Sequence, residues 1–108
     1  MTVLTIRACK RYATRQSVRL RENRGKAVSG LLIELSSEGC RISNLGGASF
    51  TVGQPVTLEI GGQDHAGHVR WARDGVAGLR LDRALHTYEL SSILEQGRAG
   101  EPARLYGT

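Results

Sequence analysis

Lys26-Ala27-Val28-Ser29-Gly30-Leu31-Leu32-Ile33-Glu34-Leu35-Ser36-Ser37-Glu38-Gly39-Cys40-Arg41-Ile42-Ser43 is the stretch on which the fold turns. Its apolar residues recur with a period of two, which belongs to a strand and not to a helix. Taken as one regular strand, Ala27, Ser29, Leu31, Ile33 and Leu35 share the inward face, while Val28, Gly30, Leu32, Glu34 and Ser36 face out. Ser37-Glu38-Gly39 has turn chemistry, with a glycine free to take positive φ. Cys40-Arg41-Ile42-Ser43 then runs back, so residues 26–43 form a β-hairpin.

The same period extends outward in both directions. Upstream, Val18 and Leu20 alternate with Ser17, Arg19 and Arg21, which starts a strand near Gln16. Downstream, Gly53-Gln54-Pro55 turns into Val56, Leu58 and Ile60, and Gly61-Gly62 is a tight turn. Gln63 to Ala72 is a strand carrying Val69 and Trp71. Asp74-Gly75 is a two-residue hairpin signal. Val76 to Leu81 closes the set, with Ala77, Leu79 and Leu81 on one face. The period then lengthens: Asp82 offers an N-cap, and Leu85, Leu90, Ile93 and Leu94 trace a helical stripe ending at Gly97. Six short strands followed by one helix predict a mainly β fold, a small six-stranded antiparallel β-barrel with a C-terminal α-helix over one opening. Residues 1–16 show no period and read as a flexible basic arm, 17–97 as barrel plus helix, and 98–108 as a disordered tail.

A length of 108 residues suits one such domain, and 14 glycines against 2 prolines suit many turns between short strands. The formal charge of +5 is unevenly spread. Residues 1–26 hold eight basic side chains against Glu22 alone, a net +7, whereas the rest of the chain is slightly acidic. A local concentration of arginine points to an anionic partner. Two cysteines, Cys9 and Cys40, are too few for a disulfide framework, and Arg7 interrupts the opening MTVLTI before it makes a signal-peptide core. No apolar run approaches a membrane span. The expected setting is the cytoplasm, with reduced thiols and no membrane contact.

Two clusters carry chemistry. In Lys10-Arg11-Tyr12-Ala13-Thr14-Arg15, two arginines sit four apart in the basic segment. In Glu34-Leu35-Ser36-Ser37-Glu38-Gly39, strand alternation puts Glu34 and Ser36 on one face just before a turn. Together they resemble the PilZ family, whose members carry an RxxxR motif in an N-terminal segment and a (D/N)xSxxG motif on a barrel strand some twenty residues later. Arg11 and Arg15 match the first motif. Ser36 and Gly39 match the second, and Glu34 stands where the family has Asp or Asn. The resemblance runs from about Lys10 to about Gln96. It includes His68-Val69-Arg70-Trp71 and Gly78-Leu79-Arg80-Leu81 as paired late strands, and the terminal helix.

The resemblance implies a non-enzymatic receptor whose ligand is the second messenger cyclic di-GMP, with no cofactor. Its guanine O6/N7 edge presents two acceptors that suit an arginine fork, and the same fork neutralises phosphate. The N1–H and N2–H₂ edge needs an acceptor, the role implied for Glu34, with Ser36 and Gly39 beside it. The residue ahead of RxxxR, here Lys10, is implied to influence whether one ligand or a stacked pair is held, and its charge favours the pair. Binding is expected to order the arm and create a surface for a separate protein, of motility, exopolysaccharide or secretion machinery.

Other side chains read more plainly. Trp71 reads as a core or rim residue before a base platform, Cys40 as a small core residue, and Tyr12 suits either base stacking or packing on the barrel. His65 and His68 are three apart, which on a strand sends them to opposite faces and argues against a metal site. No serine has the surroundings of a nucleophile. Two readings compete with the receptor: a PilZ-fold adaptor without nucleotide binding, and a basic barrel for single-stranded nucleic acid. Five aromatics and no aromatic ladder argue against nucleic acid.

Overall fold

The computed structural model describes residues 10–22 and 25–100. The expected arm residues 1–9, with Cys9, and the tail residues 101–108 lie outside them. Six strands and one helix follow in order: β1 (Tyr12–Glu22), β2 (Ala27–Leu35), β3 (Gly39–Ser43), β4 (Pro55–Ile60), β5 (Gln63–Arg73), β6 (Val76–Leu81) and α1 (Thr87–Gly100). They close into a barrel in the order β1-β2-β3-β6-β5-β4, with every neighbouring pair antiparallel. Two three-stranded meanders are thus joined along β3–β6 and β1–β4. Both two-residue turns expected from the sequence are present. Gly61 and Gly62 join β4 to β5, and Asp74 and Gly75 join β5 to β6, all four with positive φ.

The inward face of β2 differs from the regular alternation. Ser29 is exposed, while Val28 packs against the core and Leu32 and Leu35 are both fully buried. Two leucines three residues apart cannot both point inward on a regular strand. The pairing resolves this with a bulge: Leu32 lies opposite Ile42 and Glu34 opposite Arg41, so Ile33 is an extra residue on β2. Burying a leucine contributes roughly 1.5–3 kcal/mol, more than the ~1 kcal/mol of one lost ladder hydrogen bond. The core therefore sets the phase. On the β1 side, Thr14 and Arg15 together face Ile33.

β5 repeats the device. Val69 pairs with Leu79 facing in, Trp71 pairs with Gly78, and Arg70 is the extra residue. Val69 and Trp71 therefore lie on opposite faces of the sheet, and Trp71 does not join the buried cluster.

β1 starts at Tyr12, four residues before the alternation suggests, so residues 12–16 are strand and not arm. Arg19 and Arg21, counted above in the basic segment, are also in β1, where they lie against acids across the barrel wall. Arg21 reaches Asp64 at 2.9 Å and Glu59 at 3.8 Å, and Arg19 reaches Glu59 at 4.0 Å.

α1 begins at Thr87 and runs to Gly100, past the expected end at Gly97. Its cap is His86 and not Asp82. The Tyr88 amide donates to His86 Nδ1 at 3.3 Å, and the His86 amide donates to Glu89 Oε1 at 2.8 Å, a reciprocal capping box. Asp82 instead faces His68, 2.7 Å from Nδ1. The helix lies over the barrel end formed by the start of β1, the β2–β3 turn and the β4–β5 turn. Gln16 Nε2 donates to the Ile93 carbonyl at 2.8 Å, and Ile93, Leu90 and Leu94 pack on the core. No helix among the described residues is long and apolar enough to cross a membrane.

Candidate functional site

Strand pairing brings the two sequence clusters together. Tyr12 pairs with Leu35 and Ala13 with Glu34, so Arg11 and Arg15 flank the β1 residues that lie against the second cluster. Lys10 and Arg11 are exposed just ahead of β1, and Arg15 is exposed within it, in the bulge. All six residues singled out in the sequence thus lie at the helix-covered end of the barrel.

Ser36 and Gly39 prove to have structural work. Ser36 is 9% exposed, not outward-facing. Its Oγ accepts from the amides of Glu38 at 3.2 Å and Gly39 at 3.1 Å and donates to the Gly39 carbonyl at 3.2 Å, while its own amide donates to that carbonyl at 2.9 Å. This hydroxyl organises the β2–β3 turn in the manner of a serine turn. Gly39 does not have positive φ. It is needed for close approach, because a Cβ there would run into the Leu79 carbonyl oxygen of β6. The same turn anchors the segment that leads to the helix: the Leu81 amide donates to the Glu38 carbonyl at 2.8 Å and the Leu85 amide to the Ser37 carbonyl at 2.7 Å.

Glu34 does face outward. Its carboxylate lies 3.6 Å from Arg41 Nε on β3. The Arg41 guanidinium in turn lies 5.7 Å from the centre of the Trp71 ring on β5. Glu34, Arg41, Gly78 and Trp71 are successive partners across β2, β3, β6 and β5 and so form one row on the outer wall. The bulges make this row possible. With a strict period of two, Glu34 would follow Leu32 into the core and Trp71 would follow Val69. Re-aiming side chains is a common use of bulges beside functional sites. Arg41 and Trp71 were not marked as site residues by the sequence, since their meeting depends on which strands are neighbours.

The remaining candidates resolve simply. His65 shares the inward phase of Gly67 and Val69, and its Nε2 is buried without a hydrogen-bond partner. His68 is exposed on the outer wall. Among the described residues, no three His, Cys, Asp or Glu side chains are grouped to hold a metal ion. Burial pushes the Cys40 thiol up to about 12, which favours its protonated form. A groove of about 240 Å³ between Phe50, Ala72, Arg73 and Asp74 opens at the other end of the barrel, away from the two clusters.

Comparison with known proteins agrees with this geometry. The profile of the PilZ domain family matches residues 5–95. Among solved structures, the fold is similar to the Bacillus subtilis inhibitor of motility MotI/DgrA, with a TM-score of 0.64, 14% identity and 90% of this chain covered. The match spans 52% of that protein, so this chain corresponds to about half of it. The fold is also similar to the PilZ domain of CeSA from a cellulose-synthesizing bacterium, with a TM-score of 0.61, 16% identity, and 86% of this chain and 99% of that one covered. No curated protein sequence matches. A profile match over most of the chain, on a closed six-stranded barrel that carries both motifs at one end, places this chain in the PilZ domain family.

Proposed function

We propose that the domain is a receptor for cyclic di-GMP, held at the helix-covered end of the barrel and read out by a separate protein. The observation that carries this is the pairing of Tyr12 with Leu35 and Ala13 with Glu34, which sets the RxxxR arginines beside the ExSxxG turn. Arg11 and Arg15 supply forks for guanine O6/N7 or phosphate, and Glu34 accepts from the guanine N1–H and N2–H₂ edge. Ser36 and Gly39 act indirectly, by fixing the turn. Lys10 adds a point charge that favours a stacked pair of ligands. The proposed role is binding, not catalysis, in the cytoplasm. One similar structure is an inhibitor of motility and another comes from a cellulose-synthesizing bacterium, which favours motility or exopolysaccharide systems as the partner class.

Calorimetric titration with cyclic di-GMP, and with cyclic di-AMP as the control, tests the reading. Adenine replaces the O6 acceptor with an N6 donor that opposes an arginine fork, so cyclic di-GMP binds far more tightly. Equal affinity for the two would remove the guanine readout. One observation favours a second reading, an adaptor without nucleotide binding: Glu34 already has a cationic partner in Arg41. Absence of heat with either dinucleotide would select it.

A further inference from the structure

We propose that the outer wall of β5 and β6, with the groove at the open end of the barrel, docks an acidic segment of a partner protein that seats one apolar side chain in the groove. The proposal goes beyond the cyclic di-GMP reading and does not depend on it. It starts from a charge distribution that only the fold reveals. Beyond residue 26 the chain is slightly acidic, yet Arg41, Arg70, Arg73 and Arg80 are all exposed on the neighbouring strands β3, β6 and β5. The guanidinium groups of Arg41 and Arg73 lie 5.7 and 6.0 Å from the centre of the same ring, that of Trp71, which sets them in one patch. Arg80 lies opposite His68, and Arg70 is the bulge residue between that row and Trp71.

The β1–β4 wall is balanced, with Arg19 and Arg21 set against Glu59 and Asp64. The β5–β6 wall is not. Among the described residues, Glu34 lies by Arg41 and Asp82 by His68, while Arg70, Arg73 and Arg80 have no carboxylate at ion-pair distance. Arginines crowded on one wall repel one another, and carboxylates from outside relieve that repulsion with charge-assisted hydrogen bonds to the guanidinium forks. Arg73 also lines the groove of about 240 Å³, whose walls include Leu45, Phe50, Ala72 and Val76, with Asp74 as its acid. That volume falls below the roughly 300–1,000 Å³ of a ligand pocket and suits a single side chain. An apolar anchor point beside arginines is the usual anatomy of a protein interface. Glu34 and Asp82, set in the same wall, oppose a phosphate backbone, which favours a protein over a nucleic acid.

The probes are a fluorescein-labelled peptide of glutamates around a central leucine, the same peptide with a central alanine, and a single-stranded oligothymidylate. Affinity is read by anisotropy without dinucleotide present, and the contact is mapped by amide NMR shifts of the labelled protein. The leucine peptide is expected to shift the amides of Arg70, Arg73, Gly75, Val76 and Arg80, and the alanine peptide to bind several-fold more weakly. Arg73→Glu should weaken the leucine peptide roughly five- to tenfold, one exposed ion pair lost and one repulsion gained. Lys26→Glu reverses an exposed charge just ahead of β2, outside the wall, and should bind like wild type. Shifts confined to residues 10–22, or an equal loss of affinity in Lys26→Glu and Arg73→Glu, would mean attraction to net charge alone and overturn the docking wall. Tighter binding of the oligothymidylate at the same amides would make the wall a nucleic-acid surface and overturn it too. Should Arg73→Glu fail to fold, the wild-type shift map and the leucine–alanine comparison decide the question.

Discussion

Replacing Gly39 with alanine should destabilise the barrel whether or not ligand is present. The added methyl group would point at the Leu79 carbonyl oxygen, a backbone atom of the neighbouring strand. No rotamer change can relieve that contact, so β3 and β6 must move apart where Gly39 pairs with Arg80 and Cys40 with Leu79. Overpacking against a rigid neighbour costs about 1–3 kcal/mol, and a backbone obstacle belongs in the upper half of that range. With an unfolding entropy of about 2.1 cal/mol/K per residue and roughly 90 ordered residues, about 2–3 kcal/mol lowers Tm by about 10–15 °C. The assay is thermal unfolding of the ligand-free protein followed by circular dichroism. Gly47→Ala is the control, since a Cβ there meets nothing and the backbone is not in the left-handed region. If Gly39→Ala melts together with wild type and loses only ligand binding, then the glycine serves the ligand and not the barrel seam, and the structural argument is refuted.

Ser36→Ala removes the acceptor of the Glu38 and Gly39 amides and should cost about 1–2 kcal/mol, seen as a lower urea midpoint; no change would mean that water replaces the hydroxyl without penalty. Arg11→Ala should weaken cyclic di-GMP binding more than tenfold, on the order of one good bidentate pair, and leave Tm unchanged because the side chain is exposed ahead of β1; equal affinity by calorimetry would put the ligand elsewhere. The Glu89 carboxyl is held below its usual value near 4.5 by the His86 amide and the Arg83 side chain. The carboxylate therefore stabilises the fold above that value and the contribution fades as pH falls through the lower folded value. Melts of wild type and Glu89→Gln should accordingly differ at neutral pH and converge in acid. A constant difference across that range would exclude the capping carboxylate as the cause.

The strands were legible because most of them bury one face. In β4, Val56, Leu58 and Ile60 are all buried, as a strict period of two requires. The glycine turns were legible for a related reason: Gly61-Gly62 and Asp74-Gly75 adopt the positive φ that such pairs favour. The phase of β2 was not, although Leu32 and Leu35, three apart, held the clue. Periodicity shows that both belong inside but not which residue between them is expelled, and that depends on Ile42 and Arg41 across the β3 ladder. The helix start was missed because imidazole is an uncommon cap; Glu89, three residues after His86, was the local signal. Arg11, Arg15, Glu34, Ser36 and Gly39 were singled out by motif spacing. The Glu34–Arg41–Trp71 row was not, because the β2–β3 and β5–β6 hairpins come side by side only when β3 pairs with β6.

Closure of β1 onto β4 leaves the sheet without an edge. Each described strand has a neighbour on both sides, so the rows of amides and carbonyls that a partner could complete with a strand of its own are confined to stretches beyond the ladders, such as Tyr12–Val18 on the β4 side of β1. Recognition by another protein would therefore run mainly through side chains of the barrel wall, through α1, or through segments beyond the barrel. The same closure has a cost of failure. A lesion that parts Arg19–Glu22 from Val56–Glu59 would expose two complementary edges at once on the same molecule. Such a variant would exchange strands or aggregate through those edges before its core came apart.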